Sequence, residues 1–184
     1  MTGYVELHCH SCFSLLDGAS TPEALVDQAL ALDMPALALT DNDGLYGAVR
    51  FWVAAQERGL HPILGAELSL PEGDKLVLLA RNRTGYGNLC RLISHAQLEG
   101  DKGAALLDER YLQAHAEGLF ALAGGRQSRL GRLLLAGRRQ EAQERARQLA
   151  RIFGAHLYLE LQNHLWRDDE TLVAELDGLA EQER

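Results

Sequence analysis

The sequence predicts an α/β fold built on a mainly parallel sheet or barrel. Three observations carry that expectation. Short apolar runs alternate with amphipathic segments of helical length along the whole chain. One run, "PALALT" (Pro35–Thr40), is almost wholly apolar, as a strand covered on both faces must be. No internal repeat or low-complexity segment interrupts the alternation.

In order, Tyr4–Cys9 reads as a first strand. "GASTPEALVDQALALDM" reads as a helix; Ser20 and Glu23 have capping-box spacing, and Pro22 sits where an early helical position tolerates it. The strand Pro35–Thr40 follows, then the helix "LYGAVRFWVAAQERG" with Gly59 as its C-terminal cap. "HPILGAELSL" is the next strand, and "DKLVLLARN" returns from it as a hairpin across a Pro-Glu-Gly-Asp turn. "GYGNLCRLISHAQLEG" has helical spacing through Leu89, Leu92, Ile93 and Ala96. Gly118–Gly125 and Ala155–Gln162 read as strands, separated by a helix over Arg139–Phe153 with Ala142, Ala146, Leu149 and Phe153 on one face. A helix over roughly 168–184 ends the sequence. A strand–helix series should close on a strand packed back onto the sheet, so the expectation is the front part of something longer.

The chain has 184 residues, 47% of them hydrophobic, which suits one domain with a real core. Its net charge of -8 does not advertise a broad nucleic-acid surface. Of 18 basic residues only Lys75 and Lys102 are lysine, a bias assigned to genome composition. The eight arginines of 126–151 read as a solvated helix face, since no aromatic residue interleaves with them. The N-terminus lacks a signal-peptide pattern, and no apolar run approaches the roughly 20 residues of a membrane span. Three cysteines, an odd number, point to a reducing cytoplasm. Cys9-x-x-Cys12 has no second pair and carries no zinc or redox reading.

Residues i and i+2 of a strand share a face. His8 and His10 therefore point together, with Cys9 opposed. They stand at a C-terminal strand end, where parallel α/β architectures carry their sites. Asp41 follows the strand "ALALT", and Glu67 lies within "ILGAEL". Imidazole with carboxylate from three strands suits zinc, manganese or iron. His164 follows the strand "LYLELQ" and can reach the same rim, although a surface role is the simpler reading.

Four ordered blocks, "ELHCHSCFSLLDGAS", "ALALTDNDGLYGAVRF", "GLHPILGAEL" and "GYGNLCRLISHAQLEG", resemble the opening of the PHP (polymerase and histidinol phosphatase) domain of bacterial DNA polymerase III alpha subunits. The wording "DGLYGAVRF" is most like the error-prone, damage-tolerant branch. The resemblance continues through "GLFALAGG" and "LYLELQNH", so it covers nearly all of residues 1–184 as a single PHP domain, the N-terminal portion of a longer polymerase. It implies a distorted (β/α)7 PHP-type barrel, here lacking its final strands, that can hold up to three metal ions. Carried over by position, it implies His8, His10, Asp17, Glu67 and His95 as metal ligands, with Glu67 bridging two metals. Two positions depart from the pattern. A Thr-Asp-His motif reads Thr40-Asp41-Asn42, and a ligand after "GLFAL" is replaced around Gly125. A further Asp-x-His pair would fall beyond residue 184. Asp41, Asn42 and Gly125 thus mark a degenerate site with partial zinc or manganese occupancy and little phosphoesterase activity.

Three functions compete. The first is the PHP part of an error-prone polymerase, supporting a polymerase body in cis or in trans and meeting DNA indirectly. The second is a stand-alone metal-dependent phosphoesterase, of the histidinol-phosphatase or 3′–5′ exonuclease kind. The third is a non-catalytic interaction module, whose incomplete barrel edge could pair with a partner or a second copy. No membrane partner is expected, and the location is cytoplasmic.

Overall fold

The computed structural model describes residues 3–100 and 105–182. Among them, α1 (Pro22–Ala31), β1 (Ala36–Leu39), α2 (Ala48–Arg58), β2 (His61–Leu70), β3 (Asp74–Ala80), α3 (Arg83–Glu99), α4 (Glu109–Ala114), β4 (Leu119–Ala123), α5 (Arg129–Leu135), α6 (Arg139–Phe153), β5 (Leu157–Leu159) and α7 (Asp169–Gln182) follow one another. The five strands lie side by side in chain order, β1-β2-β3-β4-β5. The outer pairs β1–β2 and β4–β5 are parallel, and the pairs on either side of β3 are antiparallel. The reversal comes from the hairpin: a tight turn at Pro71–Gly73 sends β3 back along β2, so β4 meets β3 head to tail as well.

Side-chain alternation splits this sheet into two faces. Leu68, Leu70, Leu76, Leu78, Leu119 and Ala121 pack outward on α3, α5, α6 and α7, forming the main core with Leu89, Leu92, Leu130 and Leu149. Leu37 and Leu39 of β1 pack on Val26 and Ala29 of α1 and on Phe51 and Ala55 of α2. The inner face carries Ala38, Ile63, Val77, Leu79, Phe120 and Leu122. One sheet coated by helices on its outside and apolar on its inside is the wall of an open barrel, the incomplete α/β barrel expected.

Three local features differ from the expectation. The 4–9 segment forms no strand and bends at His8; its pairing with β1 reduces to a bridge between Glu6 and Leu37 and two bonds, Ala38 N–H to the Glu6 carbonyl and Thr40 N–H to the Cys9 carbonyl. The N-cap of α1 is Thr21 rather than Ser20; the Thr21 hydroxyl accepts from Ala24 N–H, and Glu23 is free to bind Arg50 instead. The short helices α4 and α5 were not anticipated. Each is one or two turns long and held by tertiary packing of leucines such as Leu112 and Leu130 rather than by periodicity. The predicted Gly59 cap is present, with φ of 77°.

Candidate metal centre

The backbone of 8–11 is positioned by Thr40 and Asp41. The Thr40 hydroxyl accepts from Cys9 N–H at 3.0 Å. The buried Asp41 carboxylate accepts from Ser11 N–H at 2.7 Å, the Ser11 hydroxyl at 2.8 Å and the Ser14 hydroxyl at 2.7 Å. With three donors on its two oxygens, Asp41 holds the loop that carries His10. Pinned this way, Cys9 turns into the α1–α2 core, where burial raises its thiol pKa to about 11. His8 and His10 turn into the barrel mouth.

There the structure gathers His8, His10 and Glu67, whose ligand atoms all lie within 4.8 Å of one another. His8 Nε2 is 3.2 Å from His10 Nε2 and 3.0 Å from Glu67 Oε2. Ligand atoms bound at about 2.0–2.1 Å to a tetrahedral ion stand about 3.3 Å apart, so this donor set fits one ion. The opposite ring nitrogens are also engaged. His8 Nδ1 meets Glu160 at 2.9 Å, and His10 Nδ1 meets Asp17 at 2.6 Å. Carboxylates behind both imidazoles orient them with Nε2 forward, the outer arrangement of metal-binding histidines.

The electrostatics set the cost of loading this site, because an imidazole ligates only as its neutral form and an ion must displace the proton that the carboxylates hold on His8. Burial opposes charge on His8, but the hydrogen bonds it donates to Glu160 and Glu67 outweigh burial and raise its pKa to about 10. Burial likewise opposes charge on Glu67, yet the His8 hydrogen bond and the Lys75 ammonium lower it to about 2. Asp17 is opposed by burial too and is lowered by hydrogen bonds from Asn42 and His10. The site thus supplies its own positive charge around its carboxylates.

Of the residues the sequence nominated, His8, His10 and Glu67 come together. Asp17 stands behind His10, bonded also by the Asn42 amide at 2.9 Å. Asn42 bridges Asp17 and Lys75, whose ammonium is 3.3 Å from Asn42 Oδ1. Gly125 lines the same cavity of about 580 Å³; a Cβ there would come 3.2 Å from Gln162 Oε1. His95 lies on α3, stacked at 3.8 Å on Tyr111, outside both the trio and the cavity lining. His164 does line the cavity. Two further participants, Glu160 and Lys75, were missed. Glu160 had a legible signal, the end of a predicted strand. Lys75 had only its rarity in an arginine-dominated chain.

The PHP domain family model matches residues 6–164. The DNA polymerase III subunit alpha of Vibrio cholerae is 40% identical over 97% of this chain, which covers 16% of that protein. The error-prone DNA polymerase of Symbiobacterium thermophilum is 40% identical over 97% of this chain and 18% of its own length. That of Mycolicibacterium paratuberculosis is 43% identical over 96% of this chain and 17% of its own length. This chain therefore spans less than one-fifth of these relatives. Among solved structures, the lesion-specific endonuclease PfuEndoQ from Pyrococcus furiosus aligns with a TM-score of 0.56 at 14% identity, covering 86% of this chain and 42% of that one, a likeness of fold alone.

Proposed function

This chain belongs to the PHP domain family, and on that premise we propose that residues 1–184 form a single PHP domain serving a DNA polymerase of the error-prone kind. Its role is mainly structural, and its site binds one zinc or manganese ion at partial occupancy. The observation that carries this reading is the self-neutralised site. Glu67, which a metal cluster would share, gives one oxygen to His8 and the other to Lys75 at 3.1 Å. The polymerase body, in cis or in trans, is the proposed partner, with DNA met through that body. A cytoplasmic setting is consistent with free Cys9, Cys12 and Cys90, and among the described residues no helix is long and apolar enough to cross a membrane.

A second reading, a metal-dependent phosphoesterase, is favoured by one observation: the His8, His10 and Glu67 donors fit an ion at the floor of an open cavity. When bound, that ion would supply Lewis acidity toward a phosphoryl oxygen. One experiment separates the two readings. The wild-type chain and His8→Ala are incubated with a phosphomonoester and with single-stranded DNA in excess zinc or manganese, and both are melted. The structural role predicts no hydrolysis above the blank for either protein and a lower Tm for His8→Ala. Hydrolysis that His8→Ala abolishes would establish the phosphoesterase instead.

A further inference from the structure

We infer that the ammonium of Lys75 is a built-in cation occupying a second ion position beside Glu67, so that this site accepts one divalent ion and not a cluster. The inference rests on the reading of His8, His10 and Glu67 as an ion-binding trio and deepens it.

The placement follows from the hairpin. In the β2–β3 register Lys75 lies opposite Ser69, and Glu67 lies opposite Val77. Lys75 and Glu67 are therefore diagonal neighbours on the inner face, within reach of a long side chain. Lys75 Nζ sits 3.1 Å from Glu67 Oε1 and 3.3 Å from Asn42 Oδ1. Both partners are oxygens, a donor set that suits a hard cation such as manganese. Glu67 is thereby divided: Oε2 faces His8 and Oε1 faces the ammonium. Lysine suits this role because its charge is a compact point, whereas a planar guanidinium would spread over several partners. An ion bridging both Glu67 oxygens would have to displace Nζ, leaving two cations in contact.

The test is ion stoichiometry by native mass spectrometry and calorimetric titration with zinc and with manganese, on the wild-type chain, Lys75→Arg and Lys75→Met. The expected result is one ion for the wild type and for Lys75→Arg. Lys75→Met should gain a second, manganese-preferring event, tighter by roughly tenfold or more than any wild-type event beyond the first. Two ions bound tightly by the wild type would overturn the inference, as would a Lys75→Met protein that still takes only one. No ion on either the wild type or Lys75→Met would overturn the trio itself, a distinguishable failure. If Lys75→Met is too unstable to isolate without metal, the same test becomes refolding: recovery in excess manganese supports the inference, and no recovery overturns it.

Discussion

Asp41 shows how a side chain at a strand end can brace the loop beside it. Its two oxygens accept from Ser11 N–H, the Ser11 hydroxyl and the Ser14 hydroxyl in a buried setting. Removing the carboxylate orphans three donors, and hydrogen bonds to a charged group contribute about 1.5–3 kcal/mol each. Asp41→Ala is expected to lower the free energy of urea unfolding by about 3 kcal/mol or more, and to weaken metal uptake by releasing the loop that carries His10. Unchanged unfolding would contradict this role. In the sequence Asp41 read as a ligand because it ends a strand beside other strand ends. What it accepts could not be read locally, since its donors lie about thirty positions upstream.

The helices are joined by contacts that are equally local in space and distant in sequence. Glu23 of α1 and Arg50 of α2 form a two-point ion pair, both distances 2.8 Å, which lowers the Glu23 pKa to about 2. A carboxylate with a lowered folded-state pKa stabilises above its unfolded value near 4.5 and loses that contribution as pH falls toward 2. The pair is solvent-exposed, so its coupling is small and weakens with salt. A double-mutant cycle with Glu23→Gln and Arg50→Met, followed by urea unfolding, should show that coupling at pH 7 and less of it at pH 3. Equal coupling at both would refute the assignment. At the start of α3 the constraint is steric. A Cβ on Gly85 would stand 1.8 Å from the Gly118 carbonyl oxygen, a backbone atom that cannot rotate away. Gly85→Ala is expected to cost about 1–3 kcal/mol or more, read as a lower Tm. Most of these helices were legible from their period. The exact cap of α1 was not, because Ser20 and Thr21 are both competent and the choice depends on where the chain arrives from the loop.

The molecule as a whole is tied together by one buried cation. Arg145 of α6 is 3% exposed and bonds Asp74, the first residue of β3, at 2.7 Å and Glu109 of α4 at 2.6 Å. Three segments far apart in the chain thus meet at a single guanidinium. Leaving Asp74 buried without it is strongly unfavourable: Arg145→Met should destabilise by about 3–5 kcal/mol in urea unfolding, far beyond the effect of Arg138→Met, whose pair with Glu141 is exposed to solvent and screened. Similar losses for the two variants would refute the special place of Arg145. The arginine-rich stretch that read as a solvated face is therefore divided. Arg126, Arg129, Arg138, Arg139 and Arg151 pair with acidic residues at or near the surface, and Arg145 is core.

The sequence by itself determined the alternation of strand and helix and the hairpin that reverses β3. Both follow from short-range periodicity and turn chemistry. Only the tertiary structure decided which carboxylate stands behind each imidazole, that Asp41 braces Ser11 and Ser14, that His95 stacks on Tyr111, and that Lys75 faces Glu67. Those outcomes depend on strand register and on the curvature that brings β5 round to the N-terminal segment. A residue's own neighbours in sequence carry no record of either, because both are set by side chains packing across the sheet.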